Sequence, residues 1–475
     1  MAEVGGGPWE VPSTPVPGFD RVPHMNLRSV FFSSVRAGRA NPTAEGQAYW
    51  VITFAGKCPE PRCGGRALEL PPAPAPLSST ATCPSCSVAR AAKSYAVCGW
   101  LAACHPRPPK ELVGEAAATG KTELGSVLRA VAVEVEGGAH SVRDPIQYVC
   151  IKVQQRAAVV HALEQAQRAA HVDNPFLDRA LLQELAPSPF TLRLIECGHD
   201  EKFMYSVTEL TNTVQPTRLL PPSGGFASGD ALAEAEARHV LRGVCSALRD
   251  LHGLGWCHKD VDPSNIVIVN PRQDAPFPGI LGCAVRLIDF GTAVPMVRVG
   301  VGGEGGGGYG YDAREWAHFE RKEKRLCFGK AAFACPSYAN ELRWRGVEFD
   351  VFSVGATLFA YLFGRPAYAS PVYISDMFKR VFDSNGLLVN RAKAVNGAWN
   401  HNDGRTLPPD ARAAVEPALG LALDGPFEQE LRRLGATLQP PISLDALDFI
   451  ARTMRFTPAL RPPSMDYLLG HPFLR

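Results

Sequence analysis

Two short polar strings in apolar surroundings carry the residue types that could do chemistry: HKDVDPSN, from His258 to Asn265, and IDFG, from Ile288 to Gly291. IVIV follows Asn265 and VRLI precedes Asp289, so each string abuts a strand-like run that sets acids and an amide at strand ends beside a cleft. Carboxylate and amide oxygens are the hard ligands magnesium prefers, and magnesium usually keeps the phosphate oxygens of a substrate as further ligands. The pattern points to a metal and phosphate site.

The elements that must position these strings are legible around them. AEAEARHVLRGVCSALRDLHGLG repeats apolar residues at helical spacing and stops at glycines, predicting a long amphipathic helix that delivers the chain to His258. VFSVGATLFAYLFG, Val351 to Gly364, is too short for a membrane span and reads as a buried core helix. Upstream, Gly120 and Gly125 flank a predicted hairpin where backbone amides can approach a phosphate because no side chain intervenes. The strand YVCIK carries Lys152, and two helical patterns follow it, AVVHALEQAQRAAHV and FLDRALLQEL.

In this order the strings resemble the protein kinase superfamily, whose patterns are a glycine-rich GxGxxGxV, a VAIK strand, HRDxxxxN and DFG. The resemblance covers residues from about 112 to 475, and Thr122 stands at the middle glycine. It implies an α+β, two-lobed fold, a small β-rich N-lobe and a larger mainly helical C-lobe. It also implies ATP and Mg2+ as cofactors and a protein substrate. By the same resemblance, Asp260 accepts the substrate proton and Lys152 reaches the phosphates. Asn265 and Asp289 hold metal, Gly120, Gly125 and Val127 cover the nucleotide, and Glu209 and Leu210 form the hinge beside the adenine. The helix acid that pairs with Lys152 is Asp178 or Glu164, with Asp178 favoured by the pattern DxxLLxxL. CPSYANEL and Arg461 imply a buried Glu341–Arg461 pair, and Asp350 in FDVFSVG implies a carboxylate that binds the loop's backbone amides.

Three positions depart from the family near the chemistry. Lys259 replaces the arginine of HRD and removes the planar fork that clamps a phosphorylated activation segment. Asp262 replaces a lysine that neutralises the transferred phosphoryl group, and Cys335 replaces the threonine supporting that lysine. An added carboxylate there repels a phosphate transition state unless a cation compensates. The basic residues Arg321, Lys322, Lys324 and Arg325 of the long activation segment are candidates for it. The favoured function is a Ser/Thr protein kinase. A pseudokinase scaffold is the competing class, and a small-molecule phosphotransferase ranks below both.

Composition bounds the remainder. The 475 residues allow roughly two or three domains. Lys plus Arg at 49 against Asp plus Glu at 47, a net charge of +2, indicates no nucleic-acid partner. The expected organisation is a disordered Gly/Pro-rich arm over 1–45 and a Cys-rich extension over 46–110. A kinase domain follows over 111–475, with its N-lobe at 111–210 and its C-lobe at 211–475. MAEVGGGPWEVPSTP has neither the basic start nor the apolar run of a secretory signal, which predicts an intracellular chain whose 13 cysteines are reduced. Cys58, Cys63, Cys83 and Cys86 admit two readings, one structural Zn2+ or unligated thiols. The loose CxxxxC spacing and the intervening proline linker favour the thiols.

Overall fold

A computed structural model describes residues 33–39, 50–64, 66–71, 80–97, 120–122, 125–136, 139–142, 147–159, 174–211, 231–269, 278–298, 309–310, 330, 332–334, 346–364, 366–370, 373–376, 436, 441–454 and 461–475. The two largest hydrophobic cores among them lie one inside a sheet and one among helices.

The strands, in chain order, are β1 (Ser33–Arg39), β2 (Trp50–Phe54), β3 (Thr80–Thr82), β4 (Ala89–Ala91), β5 (Lys93–Val97), β6 (Gly120–Thr122), β7 (Gly125–Glu136), β8 (Ala139–Val142), β9 (Tyr148–Gln155), β10 (Leu194–His199) and β11 (Phe203–Glu209). Nine of them form one sheet in the order β5-β2-β1-β10-β11-β9-β7-β6, with β8 on β7. The 12-residue β7 also pairs with β5, so the hydrogen-bonded order closes on itself as a seven-strand ring. Neighbours pair antiparallel except β1 with β10. Side chains alternate across a strand, and one side of the alternation fills the ring with Ile52, Phe54, Tyr95, Leu128, Ala130, Val149, Ile151, Val153, Tyr205 and Val207.

This ring corrects two expectations. Ser33–Arg39 was expected within a disordered arm, but it is β1, hydrogen-bonded to β2 and, at Ser33 and Ser34, to β10. Local composition gives this stretch little to bury, and pairing with strands far along the chain orders it instead. Likewise β2 and β5, expected in a separate extension, lie in the same sheet as β9, while the described residues between them stand apart.

The helical body contains α1 (Pro175–Glu184), α2 (Glu234–Gly253), α3 (Gly346–Phe363), α4 (Leu444–Thr453) and α5 (Met465–Leu469). Helix α2 is the predicted amphipathic helix, burying Ala237, Val240, Leu241, Val244, Leu248 and Leu251 along one stripe. Helix α3 extends the predicted core helix by a turn. It is long and apolar enough to cross a membrane by composition alone, yet it is buried along nearly all its length. Glu234 joins the starts of α2 and α4, accepting from Ser443 Oγ at 2.7 Å and Ser443 N at 2.9 Å. The hairpin of β13 (Ile266–Val269) and β14 (Ala284–Leu287) packs on α2, and β12 (Trp256–Cys257) leads into the loop before it.

Helices α3 and α4 cross closely at Gly355, where an added Cβ would sit 2.1 Å from Thr453 Oγ1 and 2.8 Å from its Cβ. Gly355→Ala is therefore expected to destabilise the helical body by about 1–3 kcal/mol through overpacking. Thermal unfolding checks this, and an unchanged midpoint would contradict so close a crossing.

Candidate active site

The loop between β12 and β13 is shaped by a carboxylate that does no chemistry. Asp350, near the start of α3, is wholly buried. Its Oδ2 accepts from His258 N and from His252 Nε2, both at 2.8 Å, and its Oδ1 accepts from Lys259 N at 2.9 Å. This is the amide-binding role expected of Asp350. It supports Lys259 at φ 68°, a left-handed conformation that costs a non-glycine residue roughly 1–2 kcal/mol. The Lys259 side chain is buried, as is His258, which donates from Nε2 to Ile288 O at 3.0 Å and meets the Phe290 ring edge-on at 5.1 Å. His258 and Phe290 are packing residues that join the two polar strings.

The turn brings Asp260, Asp262 and Asn265 together. Asn265 Nδ2 donates to Asp260 O at 2.8 Å and to Asp260 Oδ2 at 2.9 Å, which leaves its Oδ1 as the atom for a cation. Asp262 caps the 3-10 turn Pro263–Asn265, accepting at Oδ1 from Ser264 N at 2.7 Å and Ser264 Oγ at 2.6 Å. It is fully buried, and burial reinforced by neighbouring Asp260 pushes its carboxyl up to about 6 against the opposing pull of Lys330.

Lys330, which sequence reasoning missed, completes the group. Its Nζ donates to Asp262 Oδ2 at 2.6 Å and also bonds Ser264 Oγ, and its backbone N–H donates to Asp260 Oδ1 at 2.9 Å. Burial alone would lower the Lys330 ammonium, but Asp262 and Asp260 outweigh it and hold the group charged. The turn that carries it is anchored in the core. Phe333 N and Ala334 N both donate to Lys330 O, and Ser353 Oγ of α3 donates to Phe333 O at 3.0 Å. The signal was present in the sequence as one more lysine downstream of the basic run. Arg321, Lys322, Lys324, Arg325 and Cys335 lie outside the described residues.

Asp289 follows β14 in a left-handed conformation, φ 68°. Burial raises its carboxyl, Lys152 opposes that rise, and Asp178 and Asp260 add to it. Its Oδ1 is buried with no hydrogen-bond partner among the described residues. A carboxylate oxygen left this way in a protein interior fits a cation, and it and Asn265 Oδ1 are of the hard-oxygen type that magnesium takes.

Lys152 projects from β9 on the face opposite the barrel residues Ile151 and Val153. Val127 of β7 is its register partner, and Gly120 pairs with Val127 across the β6–β7 hairpin. The hairpin expected to cover the nucleotide thus stands beside the lysine. Asp178 accepts from Phe290 N at 3.0 Å, and Asn174 N donates to Gly291 O at 3.0 Å, so the start of α1 is fastened to the IDFG turn. Glu164 and Glu341 lie outside the described residues. Arg461 is buried, donates to Glu348 O at 3.0 Å and stacks on Phe352 at 5.0 Å. A second residue missed in the sequence is Arg179, 1% exposed, which donates to Gln154 Oε1 at 2.9 Å two residues beyond Lys152.

The hinge differs in detail from its expected use. Glu209 N donates to Arg193 O at 3.1 Å, and its Oε1 accepts from Arg286 Nε at 2.8 Å. That backbone donor and that carboxylate therefore fasten β11 to its surroundings, with Leu210 buried beside them.

A family model described as "Protein kinase domain" matches residues 146–474. The chain is 28% identical over 165 residues to maternal embryonic leucine zipper kinase of Danio rerio, covering 34% of this chain and 20% of that protein. It is 25% identical over 232 residues to serine/threonine-protein kinase PLK4 of Nematostella vectensis, covering 49% and 20%. To calcium-dependent protein kinase 12 of Oryza sativa subsp. japonica it is 22% identical over 253 residues, covering 53% and 38%. In each case the chain spans well under two thirds of the relative's own length.

If Asp289 Oδ1 receives a magnesium ion that bridges to nucleotide, ATP should raise the unfolding temperature only with magnesium present. At about 100 times Kd the gain is about 2.7 kcal/mol. Asp289→Asn is expected to abolish the magnesium-dependent part of the shift, and retention of that part would remove Asp289 from the metal site.

Proposed function

The chain belongs to the protein kinase domain family, and from that premise we propose that it transfers the γ-phosphate of ATP to serine or threonine hydroxyls of protein substrates. The observation that carries this reading is Lys330. A lone Asp262 would put a carboxylate where a phosphoryl group in transfer gathers negative charge, and that repulsion is the main ground for a scaffold that binds nucleotide without transferring phosphate. With Lys330 Nζ 2.6 Å from Asp262 Oδ2, the carboxylate is neutralised from the activation segment. The residue serves a second purpose, since its N–H fixes one oxygen of Asp260.

In the proposed step the substrate hydroxyl oxygen bonds to the γ-phosphorus while its proton passes to the Asp260 carboxylate. The bond from the γ-phosphorus to the bridging oxygen breaks, and its electron pair leaves on ADP. Lys152 holds phosphate oxygens, the Gly120–Gly125 hairpin with Val127 covers them, and Leu210 lies at the adenine end. Asp289 and Asn265 are the residues that would hold Mg2+, which when bound would neutralise phosphate charge. Names of relatives such as serine/threonine-protein kinase PLK4 support the choice of hydroxyl. The cofactors of this reading are ATP with Mg2+. The proposed address is intracellular, in keeping with nine described cysteines outside disulfides.

Transfer from radiolabelled ATP to a generic protein substrate tests the reading. Asp260→Asn is expected to lose ~10²–10⁴-fold in rate, and Lys330→Met ~10²–10³-fold. The charge-reversed double variant, Asp262→Lys with Lys330→Asp, should regain part of what either single change loses. Equal labelling by wild type and Asp260→Asn would sink the assigned base. Magnesium-dependent ATP binding without transfer by the wild type would favour the scaffold.

A further inference from the structure

Between β2 and β5 the described residues of 55–92 contribute no strand to the ring and form an excursion from it. The hydrophobic cluster within it has only five fully buried members, Ala55, Cys58, Leu68, Ala81 and Cys83, two of which are cysteines. A unit below about 40 residues with so little apolar surface is ordinarily held by disulfides or a metal. Disulfides are not what holds this one, because all four of its described cysteines are free.

The thiols are nonetheless gathered at one point. The Sγ atoms of Cys58, Cys63, Cys83 and Cys86 all lie within 4.8 Å of one another. Cys58 and Cys86 are 3.6 Å apart, and Cys63 and Cys83 3.8 Å. A tetrahedral tetrathiolate with Zn–S bonds of about 2.3 Å spaces its sulfurs by about 3.8 Å, whereas a disulfide requires about 2.05 Å. Each close contact joins one cysteine pair to the other, as a shared central ion demands.

The backbone of both pairs is turned to suit. In the first, the 3-10 turn Pro61–Cys63 takes up the extra residues of the CxxxxC spacing, ending at Gly64 with φ 57° and its N–H on Pro61 O. Cys58 N donates to Arg66 O at 2.8 Å, which closes that turn. In the second pair Ser87 N donates to Cys83 O at 2.9 Å, and Ser87 has φ 57°. Backbone N–H groups of Ser85 and Cys86 bond to the Cys83 sulfur, and that of Glu60 to the Cys58 sulfur. Such bonds offset thiolate charge around a bound dication. The loose spacing that favoured unligated thiols in the sequence is thus absorbed by one short turn.

We propose that Cys58, Cys63, Cys83 and Cys86 hold one structural zinc ion that closes the excursion between β2 and β5. Four sulfurs fill a tetrahedral shell and leave no position for substrate, so the ion fastens the fold and takes no part in transfer.

The full chain, purified without chelator, is expected to carry one zinc per molecule by elemental analysis. After exchange into cobalt(II), the wild-type chain should show the intense visible bands of a tetrahedral tetrathiolate, a reading that needs no variant to fold. Cys58→Ser and Cys86→Ser should lose those bands, while Cys245→Ser, outside the cluster, keeps them. Failure of the wild-type chain to take up zinc or cobalt under anaerobic conditions would overturn the proposal. So would iron in place of zinc, or disulfides among the four cysteines by mass spectrometry of the alkylated chain.

Discussion

Crowded negative charge is the constraint that the rest of this structure answers. Asp178, Asp260, Asp262 and Asp289 come together where the IDFG turn meets the loop after β12, and the Asp289 carboxyl feels both Asp178 and Asp260. Buried carboxylates without donors are prohibitive, so each one is met differently. Asp178 takes the Phe290 amide, Asp262 takes Ser264 and the Lys330 ammonium, and Asp260 takes Asn265 and the Lys330 N–H. Only Asp289 keeps a buried oxygen with no partner among the described residues. Of these four carboxyls, Asp289 is therefore the one with an oxygen still open to a cation, besides the pull of Lys152.

The charged groups and their partners come from separate parts of the chain, which explains the architecture around the site. Lys152 arrives on the outer face of a barrel strand, Asp178 on the first turn of α1, Lys330 on a turn pinned to α3, and the loop itself on two amides held by Asp350. Both lobes must therefore be in register for the charges to balance. A helix-to-turn bond such as Asp178 to Phe290 N makes the position of α1 part of the electrostatics of Asp289.

Much of this was legible in the sequence because it is local. HKDVDPSN, IDFG, the strand bearing Lys152, the long α2 and the buried α3 each announce themselves by type and spacing over a few turns or a short run. What was not legible depends on pairing at long range. Ser33–Arg39 has the texture of a linker and becomes a strand through its hydrogen-bonding neighbours on β2 and β10. Lys330 is an ordinary lysine until Phe333 is buried and Ser353 holds its turn. Glu209 was read for its place at the hinge, but a contact with Arg286, 77 residues away, gives its carboxylate a structural task.

The pair at positions 262 and 330 also bears on how substitutions at this site combine. Replacing Asp262 by the lysine common in the family, with Lys330 in place, would set two ammonium groups against each other, one of them buried. Removing Lys330 first would strand a buried carboxylate beside Asp260. Each single change unbalances the local charge more than a double exchange does, so the two positions are energetically coupled and substitutions at them are not additive.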